Sequence, residues 1–514
     1  MHPVVTSIHA ARSRWPALTP LERAADHQSL FGHVFSEHMA LQLAFRRDVR
    51  HQDGLADYSR TVLPEWSAYQ AMALPDILAA GDELPSTHQS WVARMRRTAA
   101  LELPEAVPLE AAVREQTRAY ERQVSERPLE FRGEATALPV LLKHLSGPDR
   151  AAREDAFMAW CAGIEHASMG VRAAMDRQGG LRRQLAALTG FDGVEAHSYA
   201  ALHRDFDPEE TAAFRTSLCA RLGPDLEERR VRLGVERLRP WDWKASAFEM
   251  PTVFDDQAGA VRLTTALLAE VDDSLVHGFE RLVAAGAVDL MHRPHKGGGA
   301  FCASLLPSGV PFVFANATGA ATDLLTVAHE VGHALHFLAT EHQPLLAYRK
   351  ANFEISEVAS IAMEFLVLEH ADAVLGAEVG GQLRAWRAQR SFDVFRSAVR
   401  ADAFQSWLYA QPDPAAADLD GEWARIGAEL DPVTDWTGLE AERGRGWQSI
   451  RHFFLQPFYF IEYAFATVVA EEIVAIYRED RQRGLVVYTD LLALGGSCGS
   501  REALAAVGLS WPMA

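Results

Sequence analysis

Thr326-Val327-Ala328-His329-Glu330-Val331-Gly332-His333-Ala334-Leu335-His336 places two imidazoles four residues apart, with a carboxylate beside the first. On an α-helix that spacing stacks His329 and His333 on one face, where both rings can meet one metal ion. Glu330 lies about 100° around the helix from His329, beside such an ion rather than behind it, which suits a base acting on water. The segment is helix-competent from Asp323 to Ala339, contains no proline, and offers apolar Leu324, Val327, Val331 and Leu335 for packing. This context weakens the competing reading, an amphipathic helix with satisfied histidines. The pattern reads as that of a zinc hydrolase.

A catalytic zinc takes three protein ligands and keeps a fourth position for water, so a third ligand is required. Phe353-Glu354-Ile355-Ser356-Glu357-Val358-Ala359-Ser360-Ile361-Ala362-Met363-Glu364-Phe365 has helical apolar spacing and follows a polar stretch, as a second helix returning past the first would. Glu357 is its candidate ligand. Glu364, two turns further along the same face, is placed to accept the free ring N–H of a ligating histidine. The alternative for both is a solvated acidic face.

A second cluster lies near the C-terminus, in Arg451-His452-Phe453-Phe454-Leu455-Gln456-Pro457-Phe458-Tyr459-Phe460-Ile461-Glu462-Tyr463-Ala464. Peptide hydrolysis develops an oxyanion that phenol O–H or imidazole N–H groups can stabilise. Tyr459 and Tyr463, four apart, would share a helix face, with His452 upstream of a helix started by Pro457. Taken alone, an aromatic stripe at this spacing is more often the mark of a core helix.

Taken together, His-Glu-x-Gly-His-x-x-His, then Glu-Val-Ala-Ser with a second Glu seven residues after the first, then a late His followed by Pro-Phe-Tyr-x-x-x-Tyr, resembles the oligoendopeptidase F branch of the thimet oligopeptidase family. Lys296-Gly297-Gly298-Gly299-Ala300-Phe301-Cys302 and Pro311-Phe312-Val313-Phe314-Ala315-Asn316 look like the family's glycine-rich loop and the strand ahead of the zinc helix. Leu238-Arg239-Pro240-Trp241-Asp242 and Arg204-Asp205-Phe206 also look like family segments, and the resemblance runs over roughly residues 195 to 514. It implies one zinc ion per chain held by His329, His333 and Glu357, with Glu364 behind them and Glu330 as general base and proton shuttle. It further implies that His452, Tyr459 and Tyr463 contact the substrate and steady its transition state. The chain departs from the branch at Ile461, where a tyrosine is common, and lacks the arginine that often follows the loop lysine.

Composition narrows the class. The chain has 514 residues, 48% of them hydrophobic, enough for a large core and for roughly two to four domains. Cys161, Cys219, Cys302 and Cys498 are widely separated, which suggests neither a thiolate zinc site nor a disulfide framework. The start, Met1-His2-Pro3-Val4-Val5-Thr6, shows no signal peptide. The best candidate membrane span, Pro457 to Tyr477, is interrupted by Glu462, Glu471 and Glu472. A cytoplasmic location is the default expectation. A formal charge of −19 without a basic stripe argues against nucleic-acid binding.

Helical spacing recurs nearly everywhere, for example from Leu21 to Val49 and from Trp91 to Arg127, with breaks expected at Gly147-Pro148 and Gly179-Gly180. One strand is expected, Val310 to Asn316, entered through Pro307-Ser308-Gly309, and its edge could hold an extended peptide by main-chain hydrogen bonds. The glycines at 297–299 lack the pattern of a nucleotide loop and could instead close over bound peptide. The expectation is therefore a mainly α, zincin-type metallopeptidase with a small β-sheet next to the zinc helix. An N-terminal helical region would span 1–200 and a catalytic domain 201–514, and the family resemblance implies two lobes enclosing a channel. The function expected is zinc-dependent endopeptidase cleavage of short oligopeptides. A helical zinc carboxypeptidase, or a peptide-binding protein with a vestigial metal site, remains the alternative, and oligomeric state has no signature.

Overall fold

A computed structural model describes residues 2–51, 53–101, 103–245, 250–306, 309–411 and 418–513 of the chain. These residues are mostly helical, and their contacts fall into two compact units, each assembled from separated stretches of sequence. The first comprises 1–99, 250–384 and 466–511, and the second comprises 100–249, 385–465 and 512–514. No described helix is long and apolar enough to cross a membrane.

In the first unit, Pro20–Arg47 starts at a capping box in which Thr19 and Glu22 satisfy each other's backbone donors. It packs with Pro3–Arg14 and Leu63–Ala79 around buried Ile8, Trp15, Tyr58, Tyr69 and Trp91. The same unit holds a three-stranded sheet in the order Val288–Met291, Phe312–Ala317, Phe301–Ala303. Phe312–Ala317 pairs parallel to the first strand and antiparallel to the last. The strand expected from the sequence is present, but both its sides are taken. It cannot offer an edge to a peptide; Phe301–Ala303 is an outer strand of this sheet. Of the expected entry turn, Pro307 and Ser308 lie outside the described residues.

In the second unit, Val107–Glu126 lies along the long helix Arg150–Leu188. Tyr120, Phe404, Trp447, Phe453 and Phe454 form the centre of one core cluster. The helix expected over Trp91–Arg127 is two helices, Gln89–Leu101 and Val107–Glu126, separated by a turn at Pro104–Ala106. Proline removes an N–H and starts helices better than it continues them. The opposite correction applies at Gly179-Gly180, which lie inside the uninterrupted Arg150–Leu188. Two glycines cost such a helix about 2 kcal/mol. Against that, neighbouring Gln178 and Arg182 both donate to the Phe454 carbonyl, at 2.9 and 3.0 Å, inside the core.

Candidate metal centre and its surroundings

The helix Ala321–Ala339 carries the histidines, and its first turn is anchored by Asp323. That carboxylate accepts from the backbone N–H groups of Thr318 (2.6 Å), Gly319 (3.0 Å) and Ala320 (3.2 Å), donors that the helix itself leaves unpaired. The returning helix, Phe353–Glu369, crosses it at Gly332. A Cβ at Gly332 would lie 2.7 Å from Ser360 Cα and 2.8 Å from the Ala359 carbonyl oxygen, so only glycine permits this approach. The Tyr488 hydroxyl holds the same carbonyl at 2.9 Å.

This crossing brings His329, His333 and Glu357 together, with one donor atom from each within 4.8 Å of the others. The two rings stand 4.9 Å apart at 86°, and His329 Nε2 is 3.6 Å from Glu357 Oε2. On the far side of the ring, His329 Nδ1 meets Glu364 Oε1 at 2.7 Å. In the metal-binding tautomer the ring proton sits on Nδ1, donated to Glu364, and the Nε2 lone pair is free to meet a cation. Glu330, one residue on, is buried, and among the described residues its Oε2 has no hydrogen-bond partner.

Electrostatics describe the same arrangement. Burial opposes the His329 imidazolium, but the Glu364 hydrogen bond and the charges of Glu364, Glu330 and Glu357 outweigh it and raise its pKa to about 9. Burial raises Glu330 to about 7, reinforced by Glu357 and Glu364 and opposed by His329. His333 is pushed well below its ordinary value, first by burial and then by the charge of His329. Burial lowers His336 to about 4 and keeps it neutral. Three carboxylates crowded around two imidazoles in a buried site make a charge deficit that a divalent cation would balance. Two imidazoles and one carboxylate are also a donor set that leaves a catalytic metal one open position. The residues present fit a metal ion.

The glycine-rich loop lies on the sheet of the same unit. Lys296 is buried, and its Nζ donates to Asp289 Oδ1 (2.8 Å), to the carbonyls of Asp289 (3.0 Å) and Met291 (2.8 Å), and to the Ala315 carbonyl. The loop lysine is thus an internal clamp between two strands. Asn316 Nδ2 donates to the carbonyls of Gly297 (2.7 Å) and Gly299 (2.8 Å), and the Gly297 N–H donates to the Arg46 carbonyl at 2.7 Å. These tethers oppose the free closing motion expected of three glycines. Cys302, on the outer strand, has its thiol pKa raised well above the ordinary value by burial, with Glu330 adding to the effect.

His452, Tyr459 and Tyr463 cluster in the second unit. The rings of His452 and Tyr459 are stacked at 5.7 Å and 7°, and Tyr463 is edge-on to Tyr459 at 5.5 Å. Burial, with Arg451 adding, lowers His452 to about 4, so the ring is neutral near pH 7. The shared helix face expected for the tyrosines is not observed. The helix begins at Ile461, and Tyr459 sits in the turn before it. Phe458, at φ 63°, bends the chain there. Gln405 Oε1 accepts from the Phe458 N–H at 3.1 Å, while buried Arg204 donates to the Phe458 carbonyl and pairs with Glu462 at 3.1 Å. Arg204, Gln405 and Glu462 thereby hold the tyrosine turn in place. Arg204 entered the sequence reading only as part of a resembling segment; its buried pairing with Glu462 spans a separation that no local pattern reveals.

The donor set is of the kind that a metal-dependent hydrolase uses. Residues 269–513 match the family model described as Peptidase family M3. A relative from Lactococcus lactis subsp. cremoris, chromosomal oligoendopeptidase F, is 25% identical over 213 residues, a match that spans 39% of this chain and 33% of that protein. Among solved structures, one described provisionally as oligoendopeptidase F superposes with a TM-score of 0.87 at 23% identity, covering 99% of this chain and 93% of that one. PZ peptidase A, solved with an inhibitor, gives 0.86 at 21% identity, covering 99% and 94%. The structural likeness extends the shared fold over the stretch before residue 269.

Proposed function

We propose that this protein is a zinc-dependent endopeptidase that hydrolyses peptide bonds within short oligopeptides. The observation that carries this reading is the convergence of His329, His333 and Glu357 beside the buried, unsatisfied Glu330 oxygen. Zinc, when bound, polarises a carbonyl and lowers the pKa of a coordinated water to about 7. Glu330 takes the proton of the attacking water and delivers it to the leaving amine; burial, which raises its pKa to about 7, suits both halves of that task. Glu364 orients His329 through Nδ1. On the family resemblance, His452, Tyr459 and Tyr463 donate to the substrate and its oxyanion, the neutral His452 through its single N–H. Oligopeptide substrates, one zinc per chain and a cytoplasmic setting belong to the same proposal, the last supported by four free cysteines.

The test is digestion of a mixed library of short peptides by purified protein, with chelator and with zinc restored, read by mass spectrometry. Internal cuts that vanish with chelator and return with zinc are expected. Glu330→Gln is expected to keep its zinc and lose nearly all turnover. Near-normal activity of that variant would overturn the mechanism, and a requirement for a free substrate C-terminus would replace endopeptidase by carboxypeptidase.

A further inference from the structure

The second unit contains a pocket of about 420 Å³ whose walls combine aromatic rings with cations. One wall is a single face of the helix Ala377–Ala410, on which Trp386, Arg390, Asp393 and Ser397 recur at helical spacing. Trp243, Lys244 and Phe460 supply other parts of the lining. Lys244 Nζ lies 4.9 Å from the Trp243 ring centre, and the Arg390 guanidinium 5.5 Å from that of Trp386. Among the described residues neither cation has a hydrogen-bond or ion-pair partner. Asp393, the one carboxylate of the described lining, is already engaged by Arg229 at 2.8 Å and Arg396 at 3.4 Å.

Lys244 therefore holds its charge against low-dielectric rings, where an ammonium is costly until an anion joins it, while the exposed Arg390 adds a solvated cation to the lining. Lys244 registers that cost: burial pulls its pKa below the ordinary lysine value, Arg390 adds to the effect, and Asp393 only partly opposes it. Phe460 supplies the link to substrate. Its ring packs edge-on against His452 at 4.9 Å and 77°, and against Tyr463 at 5.7 Å and 68°. The pocket thus shares a wall with the cluster assigned to substrate contact. Flat indole faces suit the carbon stem of a bound residue, and the paired cations suit its carboxylate.

On the peptidase reading above, we propose that this pocket is a substrate subsite that holds a peptide carboxylate between Lys244 and Arg390. Two sources carry that chemistry, an acidic side chain and the peptide's own C-terminus.

The experiment uses the full chain loaded with zinc and a matched peptide set: Glu against Gln at one position, and free against amidated C-terminus. Wild-type protein is expected to cleave the carboxylate-bearing member with kcat/KM roughly tenfold above its neutral partner. Lys244→Met and Arg390→Met are expected to move that ratio toward one, chiefly through KM. Lys244→Arg should restore the ratio. The pair whose ratio responds identifies the source. A wild-type ratio near one for both pairs, or ratios unmoved in both methionine variants, overturns the proposal. Calorimetric binding of the same peptides to Glu330→Gln protein reads this discrimination without turnover, so a protein that cleaves nothing would sink the proposed activity while the pocket stands or falls on its own.

Discussion

Gly332→Ala would add one methyl group where the two helices that carry the candidate metal ligands meet. The new Cβ would sit 2.7 Å from Ser360 Cα and 2.8 Å from the Ala359 carbonyl oxygen, whereas ordinary contacts start near 3.4 Å. The shortfall is about 0.7 Å, and the opposing atoms are backbone of a buried helix turn, so no side chain can rotate away. The helices must move apart. Overpacking of this kind costs about 1–3 kcal/mol, offset by the ~1 kcal/mol that alanine gains over glycine within a helix. The larger effect falls on the cluster, because Glu357 lies on one helix and the two histidines on the other. Zinc–ligand bonds near 2.1 Å tolerate displacements of a few tenths of an ångström, so zinc affinity is expected to fall by at least roughly tenfold. Competition against a chromophoric chelator reads the affinity, and urea unfolding of the metal-free protein reads the stability. Gly180→Ala is the control: its Cβ would meet nothing within 4 Å, and it should gain up to about 1 kcal/mol. A Gly332→Ala protein that matches wild type in both zinc affinity and urea midpoint would refute the reasoning.

Three further outcomes are expected. Glu364→Ala removes the acceptor of the His329 Nδ1 proton, and should lower zinc affinity about 10–100-fold while helix content by circular dichroism stays unchanged. His27 is buried among Trp66, Tyr69 and Trp91, neither ring nitrogen has a hydrogen-bond partner among the described residues, and burial lowers its pKa to about 4. The unfolded chain takes up that proton near pH 6.5 and the folded chain does not, so stability falls as pH drops through 6.5 toward 4, by about 2 kcal/mol at pH 5. In His27→Leu the change in urea midpoint between pH 7 and pH 5 should shrink accordingly; an unchanged shift would remove His27 from the acid response. Tyr463→Phe is expected to lower kcat more than it raises KM, measured on a single library-derived peptide, and the reverse pattern would make Tyr463 a binding residue.

The metal-ligand candidates were legible because helix periodicity is local. His329 and His333 meet one point by their spacing alone, and Glu357 and Glu364 share a face by theirs. The same local logic failed where tertiary packing outweighed it. Gly179-Gly180 read as a break, yet the core contacts of Gln178 and Arg182 carry the helix through. Pro457 read as a helix start, yet the turn held by Arg204 and Gln405 delays the helix to Ile461 and leaves Tyr459 outside it.

What the amino-acid order determined by itself is the donor set of the candidate centre: two imidazoles and three carboxylates, brought together by spacings of one or two helical turns. Tertiary structure decided everything that depends on partners distant in the chain. It made Phe312–Ala317 a central strand instead of an edge, turned Lys296 from a loop residue into a buried clamp, and set Gly332 against Ser360 so that two helices could close on one point. Periodicity records which face of an element is apolar, but not which neighbour will cover it, and that choice is made by packing across the whole fold.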